Sequence, residues 1–403
     1  MTVTSPFLRT FLVLGGVTFL GPLAMDSSLP AFGAMQADLG VSAGVVKMTL
    51  AAVTAGMAAG QIVFGPMADR FGRRPILNLG LALFTIAALI IAFMDSAGPI
   101  IALRFVQGLG VSGVMIASRA VVRDQFDVAT SARLYAYLLV VLGFVPVIGP
   151  IGFGLMTEAY GWRPIFISMA AISGAGWLVV FFALRETLEV PDYRALRLLD
   201  LFAAYRQILR DRYFAVHLVV GTGTYIVLFS ILGGIAPVMM DVLGQTPVQF
   251  GWQFAAVLSA NLIGASLVGK GIKYLGMRGV AALSVVIMAL GAGLFAYFVA
   301  TGQIFAISLL PSAFFALIGF GLINPVLIAG ALTNFKSMAG RAGALFGLIS
   351  LTVGAGAMFL LGALDDGTAR PMAAALGFGG GLAALAYLFL MRPLGLSGEA
   401  GKS

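Results

Sequence analysis

The sequence contains no cysteine and only one histidine, His217, in 403 residues. The absence of cysteine excludes disulfides and thiolate metal sites, and a single histidine excludes a multi-histidine centre. We therefore expect no metal site and no bound cofactor. Charged residues are also scarce, at 10% of the chain, which is less than half of the roughly 25% found in soluble globular domains.

Hydrophobic residues are abundant instead, at 60% of the chain, with a mean hydropathy of +1.04. A helix needs about 20 apolar residues to cross about 30 Å of hydrocarbon. Segments of this length lie at roughly 7–30, 42–66, 75–95, 97–122, 132–157, 163–184, 214–240, 248–269, 278–300, 303–333, 341–363 and 370–391. The sequence therefore predicts an all-α polytopic membrane protein with 12 transmembrane helices.

The net charge of +8 comes from 24 basic and 16 acidic residues, and the basic residues are concentrated in short connectors between apolar segments. This distribution indicates membrane topology rather than nucleic-acid binding. Alternate connectors hold Arg70, Arg73, Arg74, Arg119, Arg123, Arg133, Lys270, Lys273, Arg278, Lys336 and Arg341. The positive-inside bias predicts that these connectors and both termini lie in the cytoplasm.

The longest polar stretch, 185–213, divides the apolar segments six and six. We expect an N-terminal six-helix bundle over 1–184, a cytoplasmic linker over 185–213, a C-terminal six-helix bundle over 214–392 and a cytoplasmic tail over 393–403. Part of the linker has a helical stripe that would lie along the membrane surface. The stripe consists of Leu198, Leu201, Phe202, Tyr205 and Leu209.

A weak internal repeat agrees with this division. A shift of 204 residues places Gly65 and Gly72 on Gly269 and Gly276, each pair in the connector between the second and third helix of its half. Glycine is common in this chain, with 53 copies. The evidence for the repeat is therefore that the glycines occupy the same connector in each half. Related halves are typical of secondary transporters, whose substrate site lies where the repeats meet.

A dense polar cluster occupies the predicted turn at 65–74. Its glycines and charged residues are Gly65, Asp69, Arg70, Gly72, Arg73 and Arg74. The glycines allow a tight turn, Asp69 could lie against a helix N-terminus, and Arg70 or Arg73 could pair with Asp124. A purely topological anchor is the alternative interpretation.

Asp26 lies inside the first apolar segment, where a carboxylate usually faces a cavity or a partner and can exchange a proton. If the first helix ends near residues 30–32, Asp26 lies about 9 Å from the outer surface, and Arg104 on the fourth helix lies about 10 Å deep. Gln107 follows on the same face as Arg104. We expect these three residues to couple protons; a fixed structural ion pair, and an amide that joins two helices, are the alternatives.

The pattern Gly65-x-x-x-Asp69-Arg70-x-Gly72-Arg73-Arg74 resembles the signature loop of the major facilitator superfamily. Two more stretches resemble the fourth- and fifth-helix motifs of its twelve-helix drug/proton antiporters. They are Arg104-Phe-Val-Gln107-Gly108 and Phe144-Val-Pro146-Val-Ile-Gly149-Pro150-Ile-Gly152. Together with Met25-Asp26, Leu29-Pro30 and Val122-Arg123-Asp124, the pattern resembles the bicyclomycin and chloramphenicol/florfenicol exporter branch.

The resemblance implies two pseudo-symmetric bundles, proton/drug antiport by alternating access, and a monomer in the bacterial inner membrane. It also implies that the cluster at 65–74, with Arg123 and Asp124, latches one state of the transporter. The resemblance assigns Pro146, Gly149, Pro150 and Gly152 to an antiporter motif, in which prolines and glycines kink the helix and allow close packing. The coupling ion would be H⁺.

We expect the cargo to be a small, largely apolar drug or metabolite, and the other contact to be the lipid bilayer. Tyr225, Phe229, Asn261 and Asn324 are candidates for the cavity wall in the second half, with ordinary packing as the alternative. A sugar or metabolite transporter with the same fold is a second hypothesis. A membrane enzyme would need converging catalytic groups, and a sensor would need an attached domain; neither feature is found in the sequence.

Overall fold

The protein was analysed as a computed structural model, which describes residues 6–193, 196, 198–335 and 338–394. Every regular element in these ranges is helical. The long apolar segments fold as helices because a helix satisfies its own backbone hydrogen bonds where no water is present. The chain divides into two compact units, Met1–Leu198 and Leu199–Ser403.

Six membrane-length helices make up the described part of the first unit. The first consists of three pieces, α1 (Pro6–Thr18), α2 (Leu20–Asp26) and α3 (Phe32–Leu39), with a 3₁₀ turn at Leu29–Ala31. The other five are α4 (Ala43–Phe71), α5 (Arg73–Ile91), α6 (Ala97–Gln125), α7 (Val128–Tyr160) and α8 (Arg163–Ala183).

The first helix is longer than the sequence predicted. It continues past Pro30 to Leu39 and ends at Gly40, which has φ 64°. Pro30 is tolerated because it lies in the first turn of the 3₁₀ segment, where a missing N–H leaves no helical bond unmade. Asp38 was assigned to a connector, but it lies in the last turn and accepts from the indole of Trp162 at 2.9 Å. The first helix therefore continues for 13 residues beyond Asp26, about 20 Å, and does not end near residues 30–32 as the sequence predicted.

The polar stretch at 65–74 is almost entirely helical, which corrects the expected turn. α4 extends to Phe71 and α5 begins at Arg73, so only Gly72 leaves helical conformation, with φ 104° and ψ 162°. A residue with a side chain is strained at this φ, and glycine is not. Asp69 and Arg73 are therefore fixed on two helix ends rather than on a loop.

The second unit begins with α9 (Leu198–Arg210). Its long helices are α10 (Arg212–Pro237) with a π turn at Val238–Val242, α11 (Pro247–Ala300), α12 (Ala306–Leu332), α13 (Ala339–Ala363), and α14 (Arg370–Ala386) with a π turn at Tyr387–Met391 and the short α15 (Arg392–Leu394). α11 is interrupted at Gly276, which has φ 67° and ψ 171°. It is therefore two helices in succession.

Twelve membrane-length helices result, as the sequence predicted. In the described ranges ten helices are long and apolar enough to cross a membrane, with α11 counted once. Its two arms counted separately make eleven, and α7, with 33 residues, is the twelfth. The two glycines that interrupt the helices, Gly72 and Gly276, are the pair that the 204-residue shift superimposes, and both have positive φ.

The predicted stripe of the linker lies on α9 and is partly buried. Leu201 and Tyr205 are buried, whereas Phe202 and Leu209 are exposed. Leu198 is helical, but its side chain lies outside the described part of the structure. The predicted position of this stripe along the membrane surface stays a prediction.

Contact between α4 and α6 fixes the part of α6 that carries the polar residues of the first unit. A Cβ atom at Gly108 would collide with the carbonyl oxygen of Val53, and one at Gly56 with that of Phe105. Glycine at both positions lets the two helix backbones touch, as small residues do between membrane helices. Arg104 and Gln107 are consequently held at a fixed depth and rotation on α6.

Candidate functional site

Arg104 is the centre of a buried polar network in the first unit. Its side chain is fully buried. Nη1 donates to the Oε1 atom of Gln107 at 2.7 Å, and Nη2 donates to the carbonyl oxygen of Ala24 at 2.8 Å and to the Oγ atom of Ser28 at 3.0 Å. The guanidinium also lies 5.5 Å from the centre of the Phe166 ring. These contacts join α6 to the broken first helix.

The break in the first helix explains why Arg104 bonds there. The last four carbonyls of a helix have no partner within it, and Ala24 is in the last turn of α2, which ends at Asp26. An unpaired carbonyl in hydrocarbon costs several kcal/mol. Arg104 supplies the missing donor, so the irregular segment at residues 27–31 and the arginine stabilise each other.

Asp26 is buried, with 6% of its surface exposed. It lies between Ala24 and Ser28, the two residues of the first helix that Arg104 contacts. The guanidinium does not form an ion pair with the Asp26 carboxylate, because its contacts in the described part of the chain go to Gln107, Ala24 and Ser28. Its Nε atom has no hydrogen-bond partner there. In the described part of the chain, the expected direct contact between Asp26 and Arg104 is therefore not made.

Gln107 makes the contact with Arg104 that the helical spacing predicted. Its own amide nitrogen lies 3.7 Å from the sulfur of Met169 on α8, which is a weak acceptor. The side chain is fully buried. Gln107 therefore orients the guanidinium and connects α6 to α8.

A second cluster surrounds Arg73 at the predicted cytoplasmic end of the same unit. Nη1 of Arg73 lies 2.6 Å from Asp69 and Nε lies 2.9 Å from Asp124, while the arginine side chain is only 5% exposed. Arg73 is therefore the residue that pairs with Asp124, and the alternative, Arg70, is not. The cluster links the ends of α4, α5 and α6.

Glu186 completes this cluster, and the sequence analysis had placed it only in the linker. Its carboxylate accepts from the backbone N–H of Arg73 at 2.9 Å and of Arg74 at 3.1 Å, at the start of α5. The prediction that Asp69 lies against a helix N-terminus was wrong, because Glu186 takes that place and Asp69 lies in the last turn of α4. A Cβ atom at Gly72 would collide with this carboxylate.

The ionised form of Glu186 is stabilised by its surroundings. Burial favours the neutral acid, but backbone N–H groups of Leu188, Arg73, Thr187 and Arg74 outweigh burial and lower the pKa of Glu186 below its usual range. Glu186 is thus an anion held at the positive end of a helix.

The remaining residues of the signature lie at the edge of the cluster. Arg74 donates to the carbonyl oxygen of Phe181 at 2.7 Å, and the Arg70 guanidinium stacks on Tyr193 at 4.0 Å. Arg123 is 65% exposed and reaches Asp124 only at 4.0 Å. Gly65 lies within α4, and no atom would lie within 4 Å of a Cβ there, so it is not needed for a turn.

The proline- and glycine-rich motif lies on α7, which stays helical from Val128 to Tyr160. Pro150 is buried, while Gly149 is half-buried and Gly152 is exposed. The side chain of Pro146 lies outside the described part of the structure. The motif therefore does not interrupt the helix.

An aromatic cluster in the second unit contains three of the four candidate cavity residues. The hydroxyl of Tyr225 donates to the Oδ1 atom of Asn324 at 3.2 Å. The Tyr225 ring lies 6.1 Å from Phe229, 5.4 Å from Phe320 and 6.4 Å from Phe346. The cluster thus combines aromatic faces with one polar pair. Phe320 and Phe346 were not predicted.

Asn261, the fourth candidate, occupies a different position. It lies on the first arm of α11, where its backbone carbonyl would collide with a Cβ atom at Gly321. Asn261 is half-buried, and in the described part of the structure no contact joins its side chain to the Tyr225 cluster. In the described ranges, no group of three or more His, Asp or Glu side chains is placed to bind a metal ion.

Comparison with known proteins identifies the family of this chain. The sequence matches the family model of the Major Facilitator Superfamily over residues 14–360. The chain belongs to the Major Facilitator Superfamily. It is therefore a multi-pass membrane transporter of that superfamily and not an enzyme.

Relatives of this superfamily member include drug-resistance proteins. It is 28% identical to the bicyclomycin resistance protein homolog of Haemophilus influenzae, over 94% of this chain and 95% of that one. It is 30% identical to the chloramphenicol resistance protein of Pseudomonas aeruginosa, over 90% and 86% of the two chains. The predicted branch of the superfamily is thereby confirmed as the one to which this chain is similar.

A solved structure supports the fold. The crystal structure of a D-xylose-proton symporter superimposes with a TM-score of 0.74, over 96% of this chain and 97% of the other. The sequences are 17% identical, so this likeness concerns the major facilitator fold alone.

Proposed function

We propose that this transporter exports small, largely apolar drugs or metabolites in exchange for protons. The observation that carries the proposal is the burial of Asp26, a titratable carboxyl inside a membrane span, two residues from the Ala24 carbonyl that the buried Arg104 binds. Such residues usually belong to ion or substrate pathways. Similarity to bicyclomycin and chloramphenicol resistance proteins supports a drug as the cargo.

Asp26 is the proton-binding residue in this proposal. The Nε–H group of Arg104 has no partner in the described part of the structure. When Asp26 loses its proton, its carboxylate rotates toward this donor and forms a charge-assisted hydrogen bond. When Asp26 gains a proton, the arginine returns to the contacts with Ala24 and Ser28. Gln107 holds the guanidinium in place in both states.

This exchange of partners acts on the weakest part of the first helix. The contact between Arg104 and the Ala24 carbonyl stabilises the irregular segment at residues 27–31. Loss of that contact upon deprotonation favours another geometry of the segment. Proton release is thereby coupled to movement of the first helix, as alternating access requires.

The charge cluster around Arg73 is the latch. Asp69, Arg73, Asp124 and Glu186 hold the ends of α4, α5 and α6 together in one state of the cycle. Arg70, Arg74 and Arg123 attach the latch to its surroundings, while Gly72 leaves room for Glu186. Breaking these contacts belongs to the opening step.

The cycle moves two six-helix halves, 1–184 and 214–392, connected by the linker 185–213 and followed by the tail 393–403. Pro146, Gly149, Pro150 and Gly152 allow close packing of α7 during this movement. The transporter functions as a monomer in a bacterial inner membrane, with both termini in the cytoplasm.

The Tyr225 cluster is the proposed wall for the cargo. Binding pockets for small molecules combine apolar and aromatic surfaces with a few polar groups, and Tyr225, Phe229 and Asn324 supply both. Asn261 is a further candidate on a separate helix. No acidic residue is needed for a neutral cargo, so one proton per cargo moves one net charge, worth about 2.3 kcal/mol per 100 mV.

Chloramphenicol accumulation in cells tests this function. Cells that express the protein should retain several-fold less drug than cells without it, and a protonophore should abolish the difference. Asp26→Asn should behave like the cells without the protein. Asp200→Asn, which removes an exposed carboxylate on α9, is the matched control and should behave like the wild type. Protonophore-sensitive export by Asp26→Asn would refute the proposal.

A further inference from the structure

The second unit contains a basic cavity at the end of its last span. The cavity has a volume of about 380 Å³ and lies between the start of the second arm of α11 and the end of α14. Its lining residues are Arg278, Gly279, Ala282, Tyr387, Met391 and Arg392. Arg392 directly follows the span Arg370–Met391, so the cavity opens at the membrane boundary.

The lining has the chemistry of an anion site. Arg278 and Arg392 bring two guanidinium groups to opposite helices, and no acidic residue is among the lining residues. The hydroxyl of Tyr387, another lining residue, donates to the backbone carbonyl of Arg278 at 3.4 Å. Paired guanidiniums suit a phosphate, which can accept several hydrogen bonds from them. The small residues Gly279 and Ala282 leave space for the phosphate in this cavity.

The helix geometry at this end is unusual. Tyr387–Met391 forms a π turn, in which the N–H of Arg392 bonds to the carbonyl of Tyr387. π turns in α-helices are frequent at functional sites. The wider turn sets the Tyr387 ring and the Arg392 side chain on the same cavity.

An apolar cavity continues along the same two helices toward the membrane interior. It has a volume of about 270 Å³. Its lining residues are Val285, Val286, Ala289, Leu290, Ala384 and Leu388. Ala289 lies seven residues beyond Ala282, which is about 10 Å along a helix. One helix pair therefore presents a basic pocket at the membrane boundary and an apolar groove beside it.

We propose that these two cavities together bind an anionic phospholipid. The phosphate lies between Arg278, Arg392 and Tyr387, and one acyl chain follows the groove past Ala289 and Leu388. Charge complementarity and an apolar groove on the same two helices favour a lipid over a soluble anion. Basic pockets between membrane helices at the cytoplasmic side bind such headgroups in other proteins, and the positive-inside bias predicts that side here.

Binding of dioleoyl phosphatidylglycerol to the purified full-length protein, measured by native mass spectrometry, tests the site. The double variant Arg278→Gln/Arg392→Gln should bind this lipid at least about tenfold more weakly than the wild type, because two charge-assisted contacts are lost. Arg370→Gln is the matched control, since Arg370 lies at the opposite end of α14. It should bind like the wild type.

Two further measurements distinguish binding of a lipid from binding of a free anion. Ala289→Phe fills the groove without changing charge and should also weaken phosphatidylglycerol binding, while dioleoyl phosphatidylcholine should bind poorly to every form. Glycerol 3-phosphate at the same concentration should not compete. Equal lipid binding by the double variant and the wild type, or full competition by glycerol 3-phosphate, would overturn the assignment. The assay measures binding alone, so its result is independent of whether the protein exports drugs.

Discussion

The Arg104 guanidinium donates to the Gln107 amide oxygen at 2.7 Å, across one turn of α6 and out of contact with solvent. Gln107→Leu should therefore leave a buried charged donor unsatisfied and lower the free energy of unfolding by about 1–3 kcal/mol. Thermal unfolding in detergent measures the loss. Gln61→Leu is the control, because it removes a neutral bond to Ser112 and should cost less. An equal or smaller loss for Gln107→Leu would show that Arg104 does not depend on this partner.

Arg104→Lys should fail to replace arginine although it keeps the charge. The guanidinium reaches Ala24, Ser28 and Gln107 at once, whereas an ammonium cannot reproduce this planar geometry. We expect at least a tenfold loss of proton-driven chloramphenicol transport in proteoliposomes. Transport by Arg104→Lys at the wild-type rate would mean that a positive charge alone is sufficient.

Gly72→Ala should destabilise the protein more than Gly276→Ala. Both glycines have positive φ, which costs about 1 kcal/mol or more for a residue with a side chain. Only at Gly72 would the new methyl also collide with the Glu186 carboxylate, because nothing lies within 4 Å of a Cβ at Gly276. Melting temperatures of the two variants provide the comparison. Equal decreases in melting temperature would indicate that the Glu186 carboxylate moves away from the new methyl group without loss of stability.

Glu186→Gln should lower the melting temperature at neutral pH but not in acid. The pKa of Glu186 is lowered in the folded protein by backbone N–H groups that outweigh burial. A carboxyl with a lowered folded pKa stabilises the fold above its unfolded pKa, about 4.3, and the effect disappears as the pH falls through the folded value. The difference between variant and wild type should therefore shrink below about pH 4. A difference that persists undiminished in acid would contradict this origin.

Tyr225→Phe should weaken drug binding without unfolding the second unit. The substitution removes the hydroxyl that bonds to Asn324 and keeps the ring contacts. We expect the KM for chloramphenicol to rise about fivefold, which corresponds to the free energy of one hydrogen bond. Phe254→Leu is the control, since it alters the separate Phe250–Phe254 stack. An unchanged KM in Tyr225→Phe would remove this cluster from the proposed cargo site.

The helices and the contacts near in sequence were largely predictable. Apolar length predicted the twelve spans, and the three-residue spacing predicted the contact between Arg104 and Gln107. The charges of the cluster at 65–74 predicted a pairing of Arg70 or Arg73 with Asp124. These features follow from helix geometry and local composition.

Contacts between residues that are distant in sequence could not be predicted from a comparable sequence pattern. Glu186 lies 113 residues from Arg73 and looked like one of many linker charges. Asp38 made the first helix look shorter, because its partner Trp162 is far along the chain. Phe320 and Phe346 were hidden among 31 phenylalanines. Only the folded helices bring these side chains together.

Proteoliposomes that contain Asp26→Asn test the central proposal most directly, by measuring two modes of chloramphenicol transport in the same vesicles. The proposal predicts that exchange of labelled for unlabelled drug continues, while accumulation driven by an imposed pH gradient is lost. Gradient-driven accumulation by Asp26→Asn at the wild-type level would contradict the assignment of Asp26 as the proton-binding residue.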